Sequence, residues 1–188
     1  RTLANTQPFV RELGGSVHAF AHNGDLPEIE MLAEGLSGRF TPVGETDSER
    51  AFCVLLDHLA GLWDKRVHDV PPIAERLALI DAFAESLREL GPANFLYSDS
   101  HTLFVHADRR VDIDSGQQLP GLYLLSRSCK EEVPDLAESG VVLQTARQAL
   151  TLVASVPLTD EPWRELACGE VLAIANGDVL ERRLARSA

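Results

Sequence analysis

Two short stretches of this chain combine residue types that can manage charge as it develops on a carbonyl. The first is Phe20-Ala21-His22-Asn23-Gly24. A side-chain amide beside a glycine N–H, presented at a strand end, aims two donors at one point, and such a pair stabilises an oxyanion. Glycine also lets the backbone approach closely. Asn-Gly is equally a common turn dipeptide. Here, however, Asp25-Leu26-Pro27-Glu28 leads towards a helix rather than a second alternating strand, so a two-residue hairpin fits poorly. The second stretch is Val43-Gly44-Glu45-Thr46-Asp47-Ser48-Glu49. As a helix start it needs no further role: Thr46 is placed as N-cap, Glu49 as the third residue of a capping box, and the acids sit near the positive helix end. A carboxylate at that position, Asp47, would also hold a substrate ammonium if a pocket faced it.

The elements that must carry these residues can be read from apolar spacing. Ser16 to Ala21 is a first strand running into His22-Asn23-Gly24-Asp25. A short helix follows Pro27, with Ile29, Leu32, Ala33 and Leu36 at helical spacing. Phe40 to Val43 reads as a short extended piece with an edge-type proline. Behind Thr46, the residues Phe52, Leu55, Leu56, Leu59 and Leu62 form one helical face ending near Trp63. A second long helix starts at Pro71-Pro72, turns Ile73, Leu77, Ile80, Ala84 and Leu87 inward, and stops at Gly91-Pro92.

Strands then follow one another: Asn94–Tyr97, Thr102–His106, Gly121–Ser126, Leu150–Val156 and Glu170–Ala175, the last closed by Asn176-Gly177 before Val179-Leu180. Strands in succession without intervening helices indicate antiparallel sheets, hence an α+β class.

Composition narrows the function classes. Of 188 residues, 45% are hydrophobic and 24% charged, enough apolar side chain for one packed domain. The formal charge of −12, from 29 acidic and 17 basic residues, argues against nucleic acid and against an anionic membrane surface. No apolar run is long enough for a spanning helix, and Arg1-Thr2-Leu3-Ala4-Asn5-Thr6 lacks the apolar core of a secretory signal. Cys53, Cys129 and Cys168 are odd in number and widely spaced, which predicts reduced thiols in a cytoplasmic protein. Cys53 falls on the apolar face of the capped helix and reads as core. His18, His22, His58, His68, His101 and His106 show no metal-ligand spacing, so no metal or other cofactor is expected.

In their order, Asn5-Thr6-Gln7-Pro8-Phe9, Ala21-His22-Asn23-Gly24 and Gly44-Glu45-Thr46-Asp47-Ser48-Glu49 resemble the signature succession of class II glutamine amidotransferases. A further patch, Pro157 to Trp163 with Gly169-Glu170, is similar to the C-terminal end of the small bacterial stand-alone members. The resemblance implies the four-layer αββα sandwich of N-terminal-nucleophile hydrolases, with residues 1–188 forming the larger, C-terminal part of one such domain. It assigns Asn23 and Gly24 to the oxyanion hole and Asp47, with its neighbour Thr46, to glutamine binding. The implied reaction is hydrolysis of glutamine, or of a γ-glutamyl amide, through a cysteine thioester. An ammonia-accepting enzyme and a second copy of the chain are the implied partners.

The family's nucleophile is a cysteine at the mature N-terminus, whose own amine is the base, whereas this chain begins at Arg1 and has no cysteine before Cys53. The family's carboxylate-binding arginine precedes the Asn5–Phe9 stretch, and Arg1 stands too close to Asn5 for that role. The expectation is therefore a segment of several tens of residues upstream, including the first strands and the nucleophile. The alternatives are an inactive module that binds glutamine-like ligands, and an unrelated α+β domain in which both stretches are only a turn and a cap.

Overall fold

The structure is a computed structural model and describes residues 2–34, 37–65, 69–112, 115–128 and 149–185. Arg1, Leu36, His68 and Cys129 lie outside them. After a single 3-10 turn at Leu3–Asn5, the strands β1 (Phe9–Leu13) and β2 (Ser16–Gly24) form a hairpin. Then come α1 (Glu30–Ala33), α2 (Asp47–Trp63) and α3 (Ile73–Leu90). The rest is strand: β3 (Ala93–Ser98), β4 (Leu103–Ala107), β5 (Arg109–Val111), β6 (Gln118–Pro120), β7 (Tyr123–Ser128), β8 (Ala149–Ala154), β9 (Arg164–Glu165), β10 (Glu170–Ala175) and β11 (Asp178–Arg183).

These strands make an antiparallel sheet ordered β1-β2-β3-β4-β10-β11, a smaller one ordered β8-β7-β9, and the ribbon β5-β6. The class is α+β, as the succession of strands predicts. Alternation along the strands sorts the core into two layers. Phe20, Phe95, Tyr97, Phe104, Val171 and Ala173 turn to the helices and join Phe52, Leu55, Leu59, Leu77, Ile80 and Leu87. Their neighbours Val105, Ala107, Leu172 and Ile174 turn the other way, against Leu122, Leu124 and Leu166 of the smaller-sheet side. Among the described residues the layers are thus helix, sheet and sheet. The two long helices cover one face of the large sheet, as expected.

Local chemistry explains most element ends. α2 begins where the Glu49 N–H donates to Thr46 Oγ1 at 3.2 Å, the predicted N-cap. The reciprocal half of the capping box is replaced, because the Glu49 carboxylate accepts the N–H groups of Val43 (3.0 Å) and Gly44 (2.6 Å) and pairs with Arg11 instead. The same bonds correct the extended piece expected at Phe40–Val43. It joins no sheet, because the Val43 N–H is spent on Glu49, the Thr41 carbonyl accepts from Arg11, and Pro42 has no N–H.

α1 is the short helix expected after Pro27, a single turn. Glu34 leaves helical geometry at φ −64°, ψ 125°, and so short a helix gains little over its nucleation cost. The hairpins β1–β2 and β10–β11 turn on Gly14-Gly15 (φ 61° and 79°) and Asn176-Gly177 (φ 53° and 82°), the left-handed pair that two-residue hairpins require.

Candidate functional site

β2 carries His22, Asn23 and Gly24 at the end of the sheet where it pairs with the start of β3, in the register His22↔Phe95, Asn23↔Asn94 and Gly24↔Ala93. Phe20 and His22 are buried on the helix side, so alternation turns Asn23 to the opposite side of the sheet, where it is exposed. There its amide donates to Ser155 Oγ, just beyond β8, at 3.4 Å. The Asn23 carbonyl accepts from Asn94 Nδ2 at 3.3 Å. Asn94 is buried and spends its other groups on the Arg109 carbonyl (3.0 Å) and the Asp108 N–H (2.8 Å), tying β2 to the β4–β5 corner. A Cβ on Gly24 would stand 1.7 Å from the Pro92 carbonyl oxygen and 2.7 Å from His22 Nε2, so only glycine fits.

Asp47 opens α2 and is half-buried. Its Oδ1 accepts the Ser48 N–H at 2.7 Å and lies 3.2 Å from Ser48 Oγ, while Oδ2 accepts the Leu26 N–H at 2.9 Å. A carboxylate offers about four acceptor sites, so one remains on Oδ2. Thr46, the preceding residue, caps the helix through its hydroxyl.

Long-range contacts bring the three motifs together. His22 Nδ1 lies 3.0 Å from Ser48 Oγ, and the His22 N–H donates to Gln7 Oε1 at 2.5 Å. Gln7 Nε2 donates to Ser48 Oγ at 3.5 Å, and Asn5 Oδ1 accepts the Glu45 N–H at 3.0 Å. Asp47 therefore sits one residue from Ser48, which bonds the residue next to Asn23. Burial lowers the His22 pKa, although Asp47, the Pro92 carbonyl and Asp25 pull it upward.

Sequence reading assigned no role to Ser48, Asn94 or Ser155, and it used Gln7 and His22 only as parts of motifs. The partners stand 26 residues apart for His22–Ser48, 71 for Asn94–Asn23 and 132 for Asn23–Ser155, separations that no local pattern records.

A family profile described as "Glutamine amidotransferases class-II" matches residues 1–187. The chain belongs to the class II glutamine amidotransferases. It is 32% identical over 174 residues to YafJ of Escherichia coli (strain K12), which carries a provisional glutamine amidotransferase name; the match covers 89% of this chain and 62% of YafJ. An uncharacterized protein of Methanocaldococcus jannaschii is 30% identical, over 95% of this chain and 47% of that protein. The crystal structure of a predicted glutamine amidotransferase from Pseudomonas aeruginosa PA01 superimposes with a TM-score of 0.73 at 31% identity, covering 95% of this chain and 66% of the other. The chain thus spans roughly half to two thirds of the length of these relatives.

Two cysteines fall among the described residues. Cys53 is buried on α2 as expected, and burial pushes its thiol up. Cys168 donates to Asp108 Oδ1 at 3.0 Å, and burial together with that carboxylate raises its pKa as well. Neither environment favours the thiolate. Among the described residues no group of three His, Cys, Asp or Glu side chains could hold a metal ion, and no helix is long and apolar enough to cross a membrane.

Proposed function

We propose that this chain forms the glutamine-binding and oxyanion-stabilising part of an amidotransferase domain that hydrolyses the side-chain amide of glutamine or of a γ-glutamyl compound. The observation that carries the reading is the Gln7–His22–Ser48–Asp47 network, which ties a carboxylate with an open acceptor site to the strand that carries Asn23 and Gly24. A cysteine from sequence preceding Arg1, with its α-amine as base, is the proposed nucleophile. Its thiolate attacks the amide carbon, and the carbonyl oxygen takes the negative charge opposite the Asn23 amide and the Gly24 N–H. The amine returns a proton to the nitrogen, ammonia leaves, and water cleaves the γ-glutamyl thioester to release the acid and restore the thiol.

Asp47 accepts the substrate ammonium, and Thr46 fixes the helix start that carries it. The ammonia goes to a partner enzyme or to solvent, and the unpaired thiols of Cys53 and Cys168 are in keeping with a cytosolic setting. An inactive ligand-binding module has the same site without turnover.

The deciding experiment measures ammonia release from glutamine by the intact protein and by its Asn23→Ala variant. The variant is expected to lose ~10²–10³ in kcat, the usual cost of one oxyanion donor. A loss below about tenfold would remove Asn23 from that role, and an intact protein that binds glutamine without releasing ammonia would favour the inactive module.

A further inference from the structure

Ser48 stands at the one point where all three motif segments meet. It is 5% exposed, and its hydroxyl oxygen lies within reach of His22 Nδ1 (3.0 Å), Gln7 Nε2 (3.5 Å) and Asp47 Oδ1 (3.2 Å). The bonding capacities give the cluster a direction. A hydroxyl has one proton and two lone pairs, a carboxylate only accepts, and a primary amide nitrogen only donates. With the Ser48 proton on Asp47 Oδ1, both lone pairs receive donors, from Gln7 and from His22 protonated on Nδ1; His22 Nε2, 3.4 Å from the Pro92 carbonyl oxygen, then carries no proton in the neutral ring.

His22 is in turn fixed through its backbone N–H by Gln7 Oε1. In that arrangement the chain of donors ends on the Asp47 carboxylate. Without it, the Asp47 carboxylate would keep the backbone N–H bonds of Ser48 and Leu26 but lose the donor supplied by the Ser48 side chain.

We infer that Ser48, oriented by His22 and Gln7, is a positioning residue that fixes the Asp47 carboxylate for the α-ammonium of a γ-glutamyl substrate, so that discrimination for the amino group depends on a hydroxyl that does not touch the substrate. The inference rests on the proposed amide hydrolysis and deepens its substrate-binding half. It gives the His-Asn-Gly stretch two roles: Asn23 and Gly24 face the developing oxyanion, while His22 supports ammonium binding.

The test compares two ligands of the intact protein that differ only in the amino group, L-glutamate and glutarate, by titration calorimetry, together with glutamine turnover. Ser48→Ala is expected to weaken L-glutamate about tenfold, in keeping with loss of one charge-assisted hydrogen bond. Glutarate affinity should stay within about twofold, and kcat within about threefold, so that the loss appears in KM. Ser48→Thr, which keeps the hydroxyl, is expected to restore discrimination. Should Ser48→Ala fail to fold, Gln7→Met at an exposed position is expected to give a smaller loss of the same kind.

Parallel weakening of both ligands, or unchanged glutamate affinity, overturns the inference while leaving the proposed reaction standing. A wild-type protein that neither binds glutamate nor releases ammonia from glutamine overturns the proposed reaction, and the inference with it.

Discussion

Glu49→Gln replaces one oxygen of a carboxylate that is 1% exposed and ties the loop before α2 to β1. In the native chain Oε1 accepts the Val43 N–H and pairs with Arg11, and Oε2 accepts the Gly44 N–H. If the remaining glutamine oxygen keeps Val43 and Arg11, the new NH2 group faces the Gly44 N–H. Two donors then oppose each other, and a buried donor without an acceptor costs about 1–3 kcal/mol. The retained bonds lose their ionic character, worth roughly another 1 kcal/mol. The Arg11 pair itself is partly exposed and is counted as small.

The expected loss is therefore about 2–4 kcal/mol, a large share of the roughly 5–15 kcal/mol by which domains are stable. Urea unfolding at neutral pH should show a lower midpoint with an unchanged slope. Burial alone would raise the Glu49 pKa, but the Val43 and Gly44 N–H groups and Arg11 outweigh it and hold the group below the ordinary value of 4.5. The folded state thus binds the proton less readily than the unfolded one. The contribution is complete above about pH 4.5 and is lost as pH falls through the lower folded value, so wild type and variant should converge in acid. A difference below about 1 kcal/mol at neutral pH, or one that does not narrow in acid, would refute the reasoning.

Two further outcomes follow from buried groups. Burial pushes His106 down to about 4 from 6.5, against the opposing Ala93 carbonyl and Asp108, so the folded state takes up its proton less readily than the unfolded chain. Stability is then intact above about pH 6.5 and falls by about 3 kcal/mol from this residue as pH drops to about 4. An NMR titration showing the His106 ring already protonated at about pH 5.5 would contradict this. Gly121→Ala would place a Cβ 1.7 Å from Asn94 Oδ1 and 2.7 Å from the Asp108 carbonyl oxygen. Such overpacking typically costs about 1–3 kcal/mol, and because Asn94 anchors the Asn23 carbonyl, turnover should fall too. Unchanged melting temperature and unchanged kcat would show that Asn94 has room to move.

Much of the frame was legible because its signals are local. The capped start of α2 at Thr46, its end at Trp63, the bounds of α3 between Pro72 and Gly91, and the Asn176-Gly177 hairpin all depend on residues within a few positions of one another. β1, β5, β6 and β9 were not legible. They are short, at most five residues, and their pairing partners decide them more than their own side chains do.

Phe40–Val43 misled for a related reason: its composition suits a strand, but Glu49 and Arg11 consume the bonds that a strand would need. In the site, the sequence by itself determined the family and the identities of Asn23, Gly24, Thr46 and Asp47, since a linear motif fixes residue types. It could not determine that Gln7 and His22 converge on Ser48 beside Asp47, or that Asn94 and Ser155 both bond Asn23. Those contacts join residues far apart along the chain, and only the antiparallel register of β2 on β3, with α2 packed across it, brings their side chains within hydrogen-bonding distance.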